Sequence, residues 1–328
     1  STATPSLANS FATEIYTGNG GAQSITGVGF KPDFTWIKNT TGYGHSQVLS
    51  NSVRPIGSFL ISNSTNAEVA STGLSSFDSD GFSMASGATN AIDETNFEFV
   101  SWNWKAGGTP SINTDGTITS LFSANQAAGF SVVSYTGNNT QGATIGHGLD
   151  SIPNMIIVKG IDSTSAYNWM VYASPLGRKH AYINLTNAFE GTATGTGIWA
   201  SDPTSSVFST SNNVNVNVNN AGYIAYCFTS ISGYSKVGSY QGSTNNVSVT
   251  TGFQPTFILV KNTTSAGNWT LWDNKRGGTY FLQPNNSGAQ GSGRTVTFDS
   301  NGFTVDTNGG VNSNSNGDTF IYLAIKQN

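Results

Sequence analysis

The chain has 328 residues, only 9% of them charged, with a formal net charge of −4 and 13 basic residues. Those basic residues are scattered singly, which speaks against nucleic acid and against a membrane surface as partners, since both attract clustered Lys and Arg. Gly, Ser, Thr and Asn interleaved with β-branched and aromatic residues disfavour long helices, and an aromatic content of 12% is too high for a disordered chain.

Ser1 to Ser10 (STATPSLANS) lacks the basic and apolar regions of a signal peptide and reads as a short N-terminal arm over 1–10. No stretch approaches the roughly 18 apolar residues of a membrane span, so no membrane insertion is expected. A first β-rich module is predicted over 11–107. It opens on a Tyr-x-Gly turn, Tyr16-Thr17-Gly18-Asn19, whose Gly and Asn supply positions where positive φ is cheap. Pro32-Asp-Phe-Thr-Trp-Ile-Lys38 follows. Proline at a strand entrance needs no ladder donor, and the run behind it is apolar on both faces, as in a central sandwich strand. Arg54 and Asn63 bracket a short apolar strand, Phe77-Asp78-Ser79-Asp80-Gly81-Phe82 carries a hairpin signal, and Phe97 to Trp104 forms an aromatic closing strand. Trp36, Trp102 and Trp104 are expected in the core.

The second module, over 108–231, repeats the series with Tyr135-Thr136-Gly137, Pro153-Asn-Met-Ile-Ile-Val-Lys159, Arg178 to Asn187, and a closing strand Tyr223 to Phe228. Its hairpin signal has diverged to Val207-Phe208 followed by Asn212-Asn213. The single cysteine, Cys227, reads as buried in the closing strand and makes no intrachain disulfide. The third module, over 232–328, has Tyr240-Gln241-Gly242, Pro255-Thr-Phe-Ile-Leu-Val-Lys261, Arg276 to Asn285, Phe298-Asp299-Ser300-Asn301-Gly302-Phe303 and Phe320 to Ile325. Pro to Lys spans six residues and Arg to Asn nine in every module, whereas Lys to Arg spans 16, 19 and 15, which places length variation in the intervening loop. A Lys at the same strand end three times implies a structural partner there. The expected fold class is all-β, with three tandem antiparallel β-sandwich modules of jelly-roll or lectin-like type, each holding its own core.

Catalytic signals are sparse. The three histidines, His45, His147 and His180, do not recur at matching positions, and His147 in Ile145-Gly-His-Gly-Leu149 reads as a structural loop residue. A Ser/His/Asp triad needs only proximity in space, so the sequence leaves that one arrangement open. Asp93-Glu94 and the pair Asp78 and Asp80 do not face each other across a cleft as glycosidase carboxylates must. Asp78-Ser-Asp80-Gly81 resembles the start of a calcium loop, but Thr89 stands where the bidentate Glu is needed, and a plain hairpin is expected. No cofactor or metal is expected, and the chain reads as non-enzymatic. Sugar binding uses exposed aromatic faces beside amide and charged groups. Asn168-Trp169-Met-Val-Tyr172 and Asn268-Trp269-Thr-Leu-Trp272 stand at equivalent positions before Arg178 and Arg276. Trp169, Tyr172, Arg178, Trp269, Trp272 and Arg276 are therefore the candidate binding residues, with strand packing and an Arg-capped edge as the competing reading.

The strings YTGNG, GFKPDFTWIKN, FDSDGF, WNWKAGG and YIAYCF resemble a repeat family in virion proteins of marine tailed phages, of the kind labelled tail-fibre, lectin-like or structural. The resemblance runs from about Phe11 to Ile325 and implies β-rich modules displayed on a phage particle, with no catalytic residues to carry over. It suggests a receptor-attachment component that binds a host-surface glycan. The alternative is a capsid or tail decoration or fibre-forming protein whose partners are other virion proteins and itself, and a virion-borne depolymerase is the weaker third. Flat uncharged strand edges favour self-association, and phage fibres commonly form homotrimers, so a homo-oligomer is expected.

Overall fold

The computed structural model describes residues 7, 9–162, 167–194 and 197–327; most of the expected arm lies outside the described residues. The chain is all-β. Its framework is twelve strands: β1 (Phe11–Thr17), β2 (Phe34–Asn39), β3 (Val48–Asn51) and β4 (Glu98–Trp104); β5 (Phe130–Thr136), β6 (Met155–Gly160), β7 (Met170–Ala173) and β8 (Gly222–Phe228); β9 (Ser235–Gln241), β10 (Phe257–Asn262), β11 (Thr270–Asp273) and β12 (Thr319–Ile325). They form three antiparallel sheets in the same order, β1-β4-β2-β3, β5-β8-β6-β7 and β9-β12-β10-β11. The register repeats as well, since Phe34 faces Trp104, Met155 faces Phe228 and Phe257 faces Ile325.

The strand after each proline is central and buried along its whole length, which accounts for its unbroken apolar run. Alternate residues serve two different cores. Ile37, Ile156 with Val158, and Ile258 with Val260 pack against a smaller second sheet belonging to the same copy. Those second sheets contain Gln23–Thr26 with Gly81–Met84, Ala143–Gly146 with Val207–Thr210, and Val247–Thr250 with Gly302–Val305. The hairpin signals of the first and third copies form as read, Phe77 pairing with Phe82 and Phe298 with Phe303. In the middle copy the turn lies before Val207, where Thr204 N donates to Val207 O at 2.8 Å, and Asn212-Asn213 lie beyond the strand. The middle copy also carries two extra edge strands, Ser111–Asn113 and Ser120–Asn125, beside β5.

The Tyr-x-Gly signature is a lock built three times. The Tyr16, Tyr135 and Tyr240 hydroxyls donate to the carbonyls of Ile92 at 2.8 Å, Val216 at 2.8 Å and Ser313 at 2.6 Å. The next side chain along each of those turns, Asp93, Asn217 or Asn314, accepts the amide N–H of Asn19, Asn138 or Ser243 at 2.8 to 2.9 Å. The glycines of the signature are not at positive φ. They are glycines because a Cβ would overlap the carbonyl oxygens of Glu94, Val218 and Ser315.

The other face of each sheet points inward to one shared core. Phe34, Trp36 and Trp104 of the first copy, Met155, Ile157 and Phe228 of the second, and Phe257, Leu259 and Ile325 of the third belong to a single apolar cluster. Phe34 lies 4.3 Å from Tyr226, and Phe11 lies 5.5 Å from Phe257, ring centre to ring centre. The expectation of tandem modules with private cores is corrected accordingly. Each copy has a core under its second sheet, but the largest cluster is common to all three.

The recurring lysines join the copies in a ring. Lys38 Nζ donates to Ser287 O of the third copy at 3.0 Å, Lys159 Nζ to Thr65 O of the first at 2.9 Å, and Lys261 Nζ to Thr186 O of the second at 2.8 Å. A second acceptor lies within each lysine's own copy: the Asn39 side chain, Tyr167 O at 2.8 Å and Gly267 O at 2.5 Å. A parallel set follows the same cycle, with Gln47 Nε2 to Gln283 O at 2.6 Å, Trp169 Nε1 to Ile61 O at 2.9 Å and Trp269 Nε1 to Tyr182 O at 2.7 Å. The residues that donate these bonds are held by Asn63, Asn184 and Asn285, whose Oδ1 atoms accept the backbone N–H of Gln47, Trp169 and Trp269 at 2.9 to 3.0 Å. The middle member of this set is thus Asn184 and not Asn187; the nine-residue spacing from Arg is structural in the first and third copies only.

Removing Lys159 or Lys261 leaves one buried carbonyl and one part-buried carbonyl without a donor. Lys159→Ala and Lys261→Ala are expected to lower stability by about 2 to 4 kcal/mol, read as a lower midpoint of chemical denaturation. A midpoint equal to that of the parent would refute the ring as a stabilising element. Burial also lowers the lysine pKa values from 10.5 to about 7 for Lys38, which faces the Arg276 guanidinium as well, and to about 8 for Lys159 and Lys261. Above those values the unfolded chain holds more protons than the folded one, so stability rises with pH until the free lysine value is reached. Burial raises Tyr16, Tyr135 and Tyr240 well above 10, so the unfolded chain loses those protons first and stability falls above pH 10. A melting-temperature profile should therefore climb from pH 7, peak near about pH 9 to 10, and decline beyond it; a monotonic fall from pH 7 would contradict this.

Candidate functional site

The six residues nominated from sequence do not form a solvent-facing surface. Trp169 and Trp269, 1% and 0% exposed, point into the shared core and donate across copies. Tyr172 and Trp272 are buried on the opposite face, Tyr172 edge-on to Trp199 at 5.9 Å and Trp272 Nε1 donating to Arg294 O at 3.1 Å. Arg276 Nε donates to buried Asp273 Oδ2 at 2.6 Å, and the same oxygen accepts from Trp102 Nε1 at 3.1 Å. Arg178 is spent on the carbonyls of Ala200, at 2.9 Å, and Thr194. The strand-packing reading is the correct one for the four aromatics, because a strand whose two faces both meet cores has no exposed face to offer a ligand, and the two arginines are half-buried just beyond those strands.

A different position stands out once the copies are superposed through their strand register. Four residues before Asn63, Asn184 and Asn285 the backbone pairs with a residue ten further on: Phe59 with Val69, His180 with Glu190, and Phe281 with Gly291. In the first copy this site is filled by apolar side chains, and in the third Gly291 leaves a smaller cavity of about 160 Å³ beside Phe281. Phe59 is 4% exposed, and the Arg294 guanidinium covers the Phe281 ring at 4.5 Å. In the middle copy the same scaffold carries an imidazole and a carboxylate, and there a cleft of about 610 Å³ opens.

His180, Tyr182 and Ile198 line that cleft with the amides of Gln141, Asn212 and Asn215, and Glu190 adjoins it through the Tyr182 hydroxyl. Tyr182 lies edge-on to His180 at 5.5 Å, and its hydroxyl reaches His180 Nε2 and Glu190 Oε2, both at 3.3 Å. Asn187 Nδ2 donates to Glu190 Oε1 at 2.7 Å, so the residue misread as scaffold instead orients the carboxylate. His180 Nε2 lies 4.0 Å from Glu190 Oε2, while His180 Nδ1 is buried without a hydrogen-bond partner. Desolvation lowers the His180 pKa, with the Glu190 charge opposing it. The site is thus a preformed set of donors and acceptors around a half-buried aromatic ring, suited to holding a polar, ring-shaped molecule by hydrogen bonds and stacking. The missed signal was the middle copy's departure from its siblings at one fixed position, which became visible only after the Asn184 register was known.

Putting the sibling residues back, His180→Phe with Glu190→Val, should close the cleft and raise stability by about 1 kcal/mol, measured by chemical denaturation, because an apolar pair replaces a partly unsatisfied polar one. An equal loss of stability would show that the polar pair belongs to the scaffold. No curated protein and no solved structure matches the chain. The profile of a domain of unknown function, DUF7483, matches residues 6–328, and the chain belongs to that family.

Proposed function

We propose that this chain is a non-enzymatic, lectin-like recognition protein displayed on a phage particle, which binds a host-surface glycan through the cleft of its middle copy. One observation carries the binding reading. Three copies share a scaffold down to individual hydrogen bonds, and the middle one places His180 and Glu190 where the first has Phe59 and Val69 and the third Phe281 and Gly291, beside the larger amide-lined cleft. A polar pair at a scaffold position is a burden on folding that ligand binding would explain. The placement on a phage particle rests on the resemblance of the repeat strings. Low charge and rigid, turn-rich modules suit such a surface.

Glycan-array binding by the full chain tests the reading. His180→Ala, Glu190→Gln and Asn212→Ala should each weaken binding by about tenfold, an energy near 1.4 kcal/mol, while melting stays within a few degrees of the parent. Array binding that is indifferent to all three variants would refute the cleft, and release of cleaved sugar from the bound glycan would refute the non-enzymatic reading. The decoration reading draws on a different surface. Ile112 and Leu121, 72% and 37% exposed, face each other on the extra edge strands of the middle copy, an apolar pair that would suit another virion protein or a second copy of the chain.

A further inference from the structure

Of the chain's three histidines, His147 is fully buried, and the other two stand near the surface beside a tyrosine and a glutamate. One of these is the His180 site. The other is formed by Tyr43, His45, Glu94 and Phe97 of the first copy, at a position unrelated to the first by the repeat. Tyr43 is 72% exposed. Its ring meets the Phe97 ring edge-on at 5.1 Å and the His45 ring at 6.1 Å. His45 Nε2 lies 3.7 Å from Glu94 Oε2 and has no hydrogen-bond partner although the atom itself is buried.

The loop that presents Tyr43 is held in place from below. Fully buried Asn39 donates to the carbonyls of Thr41 and Tyr43 at 2.8 and 2.9 Å, and its Oδ1 accepts the N–H of His45 at 3.0 Å. The third copy braces it from the side, with Gln290 N donating to Thr40 O at 3.2 Å, and Gly44 sits so close to Ser287 that a Cβ would overlap the Ser287 carbonyl. An exposed aromatic face on a loop pinned by one buried amide gains nothing for folding from its exposure. It offers a pre-ordered stacking surface with a carboxylate and an imidazole within reach of a bound molecule's hydroxyls.

We infer that the Tyr43 patch is a second saccharide site, in which a neutral sugar ring lies on the Tyr43 face and its hydroxyls hydrogen-bond to Glu94 and His45. The ligand class rests on the proposed function; the surface rests on its own geometry and shares no residue with the cleft. Two such sites on one rigid chain would let it grip two stretches of the same surface polymer, raising avidity without any new contact.

The test applies the full chain to an array of neutral oligosaccharides in four forms: the parent, the cleft-closed double variant His180→Phe with Glu190→Val, Tyr43→Ala, and all three substitutions together. The cleft-closed chain should keep measurable binding that Tyr43→Ala then reduces by at least about tenfold, and Tyr43→Phe in the same background should keep it, since the ring face remains. Tyr43→Ala alone should melt at the parent temperature, because the side chain it removes is exposed. Binding lost completely in the cleft-closed chain overturns the second site and leaves the cleft standing. Binding unchanged by cleft closure but lost in Tyr43→Ala supports this site and overturns the cleft. Absence of binding by the parent overturns both.

Discussion

A lysine amine buried at the end of a β-strand must find acceptors, and in this protein each of the three finds one in the neighbouring copy. Lys38 reaches the third copy, Lys159 the first and Lys261 the second, so the donors and acceptors close a cycle. The inward faces of the three main sheets are covered only because the copies stand around one another in this way, and a single copy would present Phe34, Trp36 and Trp104, or their counterparts, to water. The lysine ring and the shared core are therefore one constraint seen at two places. The core supplies the apolar burial, and the directional lysine and indole bonds set which loop meets which strand.

Within that ring the chain varies its side chains in matched pairs. Trp102, Tyr226 and Leu323 occupy the same position on β4, β8 and β12, while Asp273, Asn51 and Ala173 end β11, β3 and β7. The Trp102 indole donates to Asp273 and the Tyr226 hydroxyl meets the Asn51 amide at 2.9 Å, whereas Leu323 and Ala173 are both apolar members of the shared core. At this position each buried donor is satisfied, and the third pair is apolar on both sides. The His180 site departs from its siblings differently, with a polar pair standing where the other copies have Phe59 and Val69 or Phe281 and Gly291. Departure from internal consistency at one position of a repeated scaffold is where function is expected to intrude on folding.

Trp36, Trp102 and Trp104 lie in the core as expected, whereas the four aromatics nominated for binding are buried for a physical reason. Trp169, Tyr172, Trp269 and Trp272 occur beside amides and arginines as sugar-binding residues would, but a strand with cores on both faces buries every residue it carries, and sequence spacing does not reveal how many faces are covered. Tyr43 escaped notice because it lies in a loop of variable length, where no repeat pattern points to it, and its exposure depends on Asn39 holding the loop and on Ser287 of another copy closing it from the side.

Length, composition and three recurring spacings were enough to establish an all-β chain built from a repeated unit, because strand periodicity, the proline before a central strand and turn glycines act locally and need no knowledge of distant contacts. The Tyr-x-Gly signature was legible as a turn, although its glycine answers to the approach of a carbonyl from a loop more than seventy residues away, as with Gly18 and Glu94, and not to its own φ. Tertiary structure alone decided that the three copies share a core, that each recurring lysine is satisfied by its neighbour, and that Asn184, not Asn187, completes the set. Those facts depend on which surfaces meet across the ring, and a sequence read one copy at a time holds no record of the partner.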